Sequence, residues 1–111
     1  MRTIFRSEEF DEYYALQPAR VRGKIDYALS VLEQIKVVNT KLVKSIENTD
    51  FYELRISVDN EHRVLMFSID HDNIIEATQI LLLNGFIKKS TKDYKSQILI
   101  AEKILQKYTE Q

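Results

Sequence analysis

Arg55 and Arg63 flank the turn-forming pair Asp59-Asn60, and a glutamate, Glu53 or Glu61, stands two residues before each arginine. A guanidinium presents a planar fork of donors that matches two oxygens of a phosphate. A carboxylate beside it either neutralises the charge or handles a proton. Further along come Lys88 and Lys89, then Lys92, Tyr94 and Lys95. The 111 residues carry a net charge of -1, which argues against a general nucleic-acid binder. The distribution is uneven: residues 47–76 hold eight acids against two arginines, and residues 84–108 hold six lysines against two acids. Basic charge gathered near one end can form a local anion site, or it can simply solvate a helix face.

Composition limits what else the chain can be. Its length fits one domain, residues 1–111, large enough to bury a core without covalent staples. Hydrophobic residues make up 44% and charged residues 30%, with two glycines and one proline. The absence of cysteine excludes disulfides and thiolate-bound zinc and fits a cytoplasmic protein. No apolar run approaches the ~20 residues of a membrane helix, and no membrane role is expected.

Several elements must position the charged groups. Arg2 to Arg6 reads as a short strand. Ser7 is a helix N-cap, with Glu8 and Glu9 suited to the positive end of the dipole. Phe10, Tyr13, Tyr14 and Leu16 give that helix an apolar side. Pro18 breaks it and suits the first turn of a second helix, running to about Val37 on Val21, Ile25, Ala28, Leu29, Leu32 and Ile35. The period then changes. Leu42–Ile46, Phe51–Ser57, His62–Ile69 and Ile74–Leu83 read as four strands of an antiparallel meander, because their links are too short for crossover helices. A last helix runs from about Asp93 to Tyr108, with Tyr94, Ile98, Ala101, Leu105 and Tyr108 as its apolar seam. The fold class is α+β: an N-terminal strand and αα-hairpin on one face of a mainly antiparallel sheet, with a C-terminal helix.

Register decides where the arginines point. A two-residue turn at Asp59-Asn60 would mix charged and apolar side chains on both faces. A three-residue loop, Val58-Asp59-Asn60 with Asn60 left-handed, separates them. Arg55 then faces Arg63, Ser57 faces Glu61 and Glu53 faces Leu65. Tyr52, Leu54, Ile56, Val64 and Met66 line the opposite face, toward the first two helices. Two opposed arginines repel unless acids neutralise them or an anion bridges them. A plain salt-bridge cluster is the alternative. His62 falls on the opposite face from the arginines and reads as structural. His71, between Asp70 and Asp72, reads as part of a solvated turn.

Three segments in order, Phe51-Tyr52-Glu53-Leu54-Arg55-Ile56, His62-Arg63-Val64-Leu65-Met66-Phe67 and Leu83-Asn84-Gly85-Phe86-Ile87-Lys88-Lys89, resemble the RelE/ParE superfamily, and within it the phage-derived HigB-like branch. The resemblance spans nearly the whole chain. It implies the toxin of a type II toxin–antitoxin system, a metal-independent mRNA interferase with no cofactor, acting on message, often on the ribosome. By position it implies catalytic roles for Arg55, Arg63, Lys88, Lys89 and Glu53, and RNA contacts from Lys92, Tyr94 and Lys95. Glu53 departs from members that carry a basic residue there. Tyr94 could stack on a base or pass a proton, or it could merely anchor the last helix. The chemistry is attack of an RNA 2′-hydroxyl on the neighbouring phosphate, aided by in-line positioning and charge stabilisation. The implied partners are a cognate antitoxin and mRNA. Both a homodimer and a toxin–antitoxin hetero-oligomer are left open. The Ile98-Leu99-Ile100 run exceeds one apolar face and could bind the antitoxin. Two other readings keep the fold: a ParE-like toxin directed at gyrase, and a non-catalytic RNA-binding or interaction module.

Overall fold

The computed structural model describes residues 1–36 and 39–110. Its elements are β1 (Thr3–Arg6), α1 (Glu8–Ala15), α2 (Ala19–Gln34), β2 (Val43–Ser45), β3 (Phe51–Val58), β4 (Asn60–Ser68), β5 (Gln79–Ile87) and α3 (Lys92–Thr109). The five strands form one sheet in the order β1-β5-β4-β3-β2. The last four are an antiparallel meander, and β1 pairs parallel with β5 at one edge.

The sheet separates two cores. One gathers Phe10 and Tyr13 of α1 and Val21, Ile25, Ala28 and Leu32 of α2 against Leu54, Ile56, Val64, Met66, Ile80 and Leu82. The other gathers Ala101 and Ile104 of α3 against Phe51, Leu65, Leu81, Leu83 and Phe86. Period-two alternation in the strands makes both possible, since successive side chains leave opposite faces. Tyr94, Ile98, Leu105 and Tyr108 flank the second core, whereas Leu99 and Ile100 are exposed.

The helix starts follow local chemistry. The Ser7 hydroxyl accepts from the Phe10 amide at 3.0 Å and also donates to the Leu83 carbonyl, tying the α1 cap to β5. Pro18 is the cap residue of α2, just outside its first turn. Leu16 is 83% exposed and follows the last residue of α1, so the apolar side of that helix ends at Tyr14. The second helix stops at Gln34; the expected end at Val37 lies outside the described residues. Arg2 is buried and fans its guanidinium over the carbonyls of Leu32, Ile35, Lys36, Ile74 and Ile75, occupying acceptors that the end of α2 leaves open.

The central hairpin has the expected register, with Arg55 opposite Arg63, Ser57 opposite Glu61 and Glu53 opposite Leu65. Its left-handed residue is Asp59, at φ 61°, rather than Asn60. Asp tolerates that conformation, and Asn60 remains in the ladder opposite Val58. The last strand starts at Gln79 rather than Ile74. Asn73 accepts from the Ile75, Glu76 and Ala77 amides and turns that segment, with Ile74 and Ala77 buried as plugs. The Asp70 carboxylate accepts from the Thr78 and Gln79 amides and ends the loop. The strand then continues through Asn84-Gly85 to Ile87, because a bulge opposite Leu65 absorbs one extra residue.

Candidate active site

The α3 side of the sheet carries the charged group. Glu53 is its centre: it is 4% exposed, with Oε1 3.4 Å from Arg55 Nε and Oε2 3.8 Å from Arg63 Nε. Glu53 Oε2 and Arg55 Nε are buried and neither makes a hydrogen bond among the described residues. Buried polar atoms are rarely left so, and such a gap calls for a ligand, a water or a role.

The two arginines differ in access. The Arg63 side chain is 4% exposed and its donors are used internally. Nε donates to the Tyr94 hydroxyl at 3.1 Å, Nη1 donates to the His62 carbonyl at 2.9 Å, and Nη2 meets Glu61 Oε1 at 3.4 Å. The Arg55 side chain is 31% exposed, and among the described residues its one ion pair is with Glu53. The pair therefore splits into an inner arginine that fixes its neighbours and an outer one open to a ligand.

Tyr94 comes from the first turn of α3 and closes the group from above. Its ring meets Phe86 edge-on at 5.7 Å, and Lys88 Nζ lies 5.5 Å from its centroid. Burial raises the phenol above its ordinary value, with the Glu53 carboxylate adding to the effect, so Tyr94 stays protonated near neutrality. Across the ladder, the Ser57 hydroxyl and Arg63 hold the exposed Glu61 carboxyl below its usual range.

Lys89, Lys92 and Lys95 remain exposed around the start of α3, none of them in an ion pair among the described residues. The Asp93 carboxylate shapes this approach by accepting from the Lys89 and Ser90 amides at 2.7 and 2.9 Å. The structure thus brings Glu53, Arg55, Arg63, Lys88 and Tyr94 together and leaves Lys89, Lys92 and Lys95 at the rim. Sequence reasoning missed Lys44, which stands directly opposite Glu53 on β2. The available signal was the alternation of Leu42 to Ile46, which puts Lys44 on one face and Val43 on the other.

His62 is on the far side, 1% exposed, with Nδ1 2.7 Å from the Tyr13 hydroxyl. His71 Nδ1 accepts from the Asn73 amide inside its turn. Among the described residues, no three His, Asp or Glu side chains group as metal ligands. Nor is any helix there long and apolar enough to cross a membrane.

The fold is similar to that of RelE toxins. The intact E. coli RelBE toxin–antitoxin complex matches at a TM-score of 0.59 and 15% identity, covering 81% of this chain and 100% of that one. A RelB-RelE antitoxin–toxin complex from Methanococcus jannaschii matches at 0.55 and 22% identity, covering 81% and 96%. The isolated E. coli RelE toxin matches at 0.58 and 15% identity, covering 88% and 96%. No curated protein matches the sequence. The model of the family described as "Phage derived protein Gp49-like" matches residues 12–106. That span contains the whole charged group from Glu53 to Tyr94, and the chain belongs to this Gp49-like family.

Proposed function

We propose that this chain is the toxin of a toxin–antitoxin pair and acts in the cytoplasm as a metal-independent endoribonuclease on translated message. The observation that carries this reading is Arg55, an arginine with open donors beside a buried, incompletely bonded Glu53 and beneath a protonated Tyr94. Membership of the Gp49-like family and the RelE-like fold support it.

Arg55 holds the non-bridging oxygens of the scissile phosphate and stabilises charge on the phosphorane. The Glu53 carboxylate, through the oxygen beside Arg55, accepts the 2′-hydroxyl proton as the 2′ oxygen attacks phosphorus. The bond to the 5′ oxygen breaks, and Lys88 supplies the proton for that leaving group. The products are a 2′,3′-cyclic phosphate and a free 5′-hydroxyl. Arg63 acts through Glu53 and Tyr94 as a positioning residue, given its burial. Lys89, Lys92 and Lys95 steer flanking phosphates. The antitoxin acts by covering this charged face or α3.

Brief induction in bacteria followed by primer extension on abundant transcripts tests the reading. New ends within messages are expected for the wild-type chain. Arg55→Ala is expected to lower the cleavage rate by roughly 10²–10³, the loss typical of one oxyanion donor. Intact messages accompanied by gyrase inhibition, or cleavage unchanged in Arg55→Ala, would overturn it. Co-purification with the product of the neighbouring gene checks the antitoxin.

A further inference from the structure

We infer that the cleft beside β2 is a second RNA subsite, which takes the single strand as it leaves the proposed reaction centre at Arg55. This rests on the endoribonuclease reading and adds a path for the substrate. The cleft encloses about 770 Å³. Lys41, Lys44, Tyr52, Arg55, Asp72 and Asn73 are among its lining residues, and because Tyr52 and Arg55 leave opposite faces of β3, the cleft wraps around the β2 edge. Three cations thus oppose one acid. Arg55 belongs both to this lining and to the Glu53 ion pair, so the cleft adjoins the charged group at that residue. Lys44 continues the row, because it lies opposite Glu53 in the β2–β3 ladder.

The chemistry of the lining selects a polyanion. Lys41 and Lys44 are exposed and lie in no ion pair among the described residues, so their ammonium groups are available to phosphates. The Tyr52 hydroxyl is tied to the loop, donating to the Asp72 carbonyl at 3.0 Å and accepting from the Ile74 amide at 3.3 Å. Those bonds fix the half-buried ring at the rim of the cleft, on the α1/α2 side of the β2 edge, where a base that rounds the edge meets its exposed part. The β2 edge is the last in the sheet, so no neighbouring strand blocks the approach. Cations with an interleaved aromatic are what single-stranded nucleic acid requires and what a small neutral ligand does not.

Binding of fluorescent RNA by the purified full chain, titrated against salt, tests the assignment. The probes are a long single-stranded RNA and a trinucleotide, each carrying a 2′-deoxy substitution at the cleavage position. The variant is Lys41→Ala/Lys44→Ala, whose two surface positions leave both cores intact. For the wild-type chain the long RNA binds more tightly than the trinucleotide. In the double variant this advantage shrinks, and the salt slope for the long RNA falls by about 1.4, the loss of two single-strand phosphate contacts. An unchanged slope and unchanged advantage, in a chain that still cleaves message, would overturn the subsite and leave the nuclease reading standing. A wild-type chain that binds neither RNA and cuts no message removes both. A double variant that keeps its RNA slope but loses the neighbouring gene's product would show a protein-docking edge instead, which also overturns the subsite.

Discussion

At the scale of single residues, the informative contrast lies between two arginines that sequence reasoning treated as equals. Alternation along Phe51–Ser57 and His62–Phe67 was enough to place them opposite each other, because one register alone separates apolar from charged side chains. It could not tell which would be buried. That depends on Tyr94, thirty-one residues beyond Arg63, returning over the sheet to take its Nε bond. Removing Arg63 therefore costs stability before it costs chemistry. Arg63→Ala is expected to lose about 3 kcal/mol in urea unfolding, as the buried Glu53 loses its buried counter-charge. Arg55→Ala, at the half-open position, should leave the unfolding midpoint much closer to that of the wild type. Tyr94→Phe separates packing from proton chemistry. The edge-on contact with Phe86 survives and the Arg63 bond is lost, so stability should fall by only about 1 kcal/mol. A cleavage rate that drops well beyond that equivalent would assign the hydroxyl a role in the reaction.

Among the elements, β5 departs furthest from its sequence-based reading. Ile74 and Ile75 look like the start of a strand, yet Asn73 and Asp70 capture the local amides and turn the segment. Such capping competes with a ladder on nearly equal terms, and only the tertiary pairing of Gln79 with Thr3 decides the outcome. Asn84-Gly85 reads as the end of a strand but lies inside one. The reason for Gly85 is on the far face: a methyl group there would sit 2.3 Å from the Tyr13 ring. Gly85→Ala must push Tyr13 outward and with it the Tyr13–His62 hydrogen bond. A loss of roughly 1–3 kcal/mol by thermal or urea unfolding is expected, the usual cost of overpacking. An unchanged midpoint would mean that α1 can slide without cost.

Across the whole molecule, one sheet carries a structural face and a charged face, and α3 divides its own between a core and a rim of lysines. The two-sided plan was legible because apolar residues alternate with charged or polar ones in β3 from Tyr52 to Ser57. The contents of the second core were only partly so: Ile104 is buried there beside Ala101, outside the seam expected from spacing. The structural face also sets an acid limit. Burial holds the His62 imidazole below its ordinary value, so the unfolded chain takes up that proton first as pH falls. This contribution is intact above about pH 6.5 and declines below it, by at most about 1.4 kcal/mol per pH unit. Urea midpoints between pH 5 and 7.5 should fall on the acid side, and His62→Gln should flatten that limb.

Arg2 fastens the chain's start to the end of α2 and to Ile74 and Ile75, and β1 closes on β5 between Thr3 and Gln79. The bonds to Ile74 and Ile75 and the β1–β5 pairing join segments more than seventy residues apart. Contacts so distant along the sequence assemble slowly and late. A partly folded chain therefore holds its arginines on an unfinished sheet. The sheet that carries Arg55 and Arg63 is thus complete only once β1 has closed on β5.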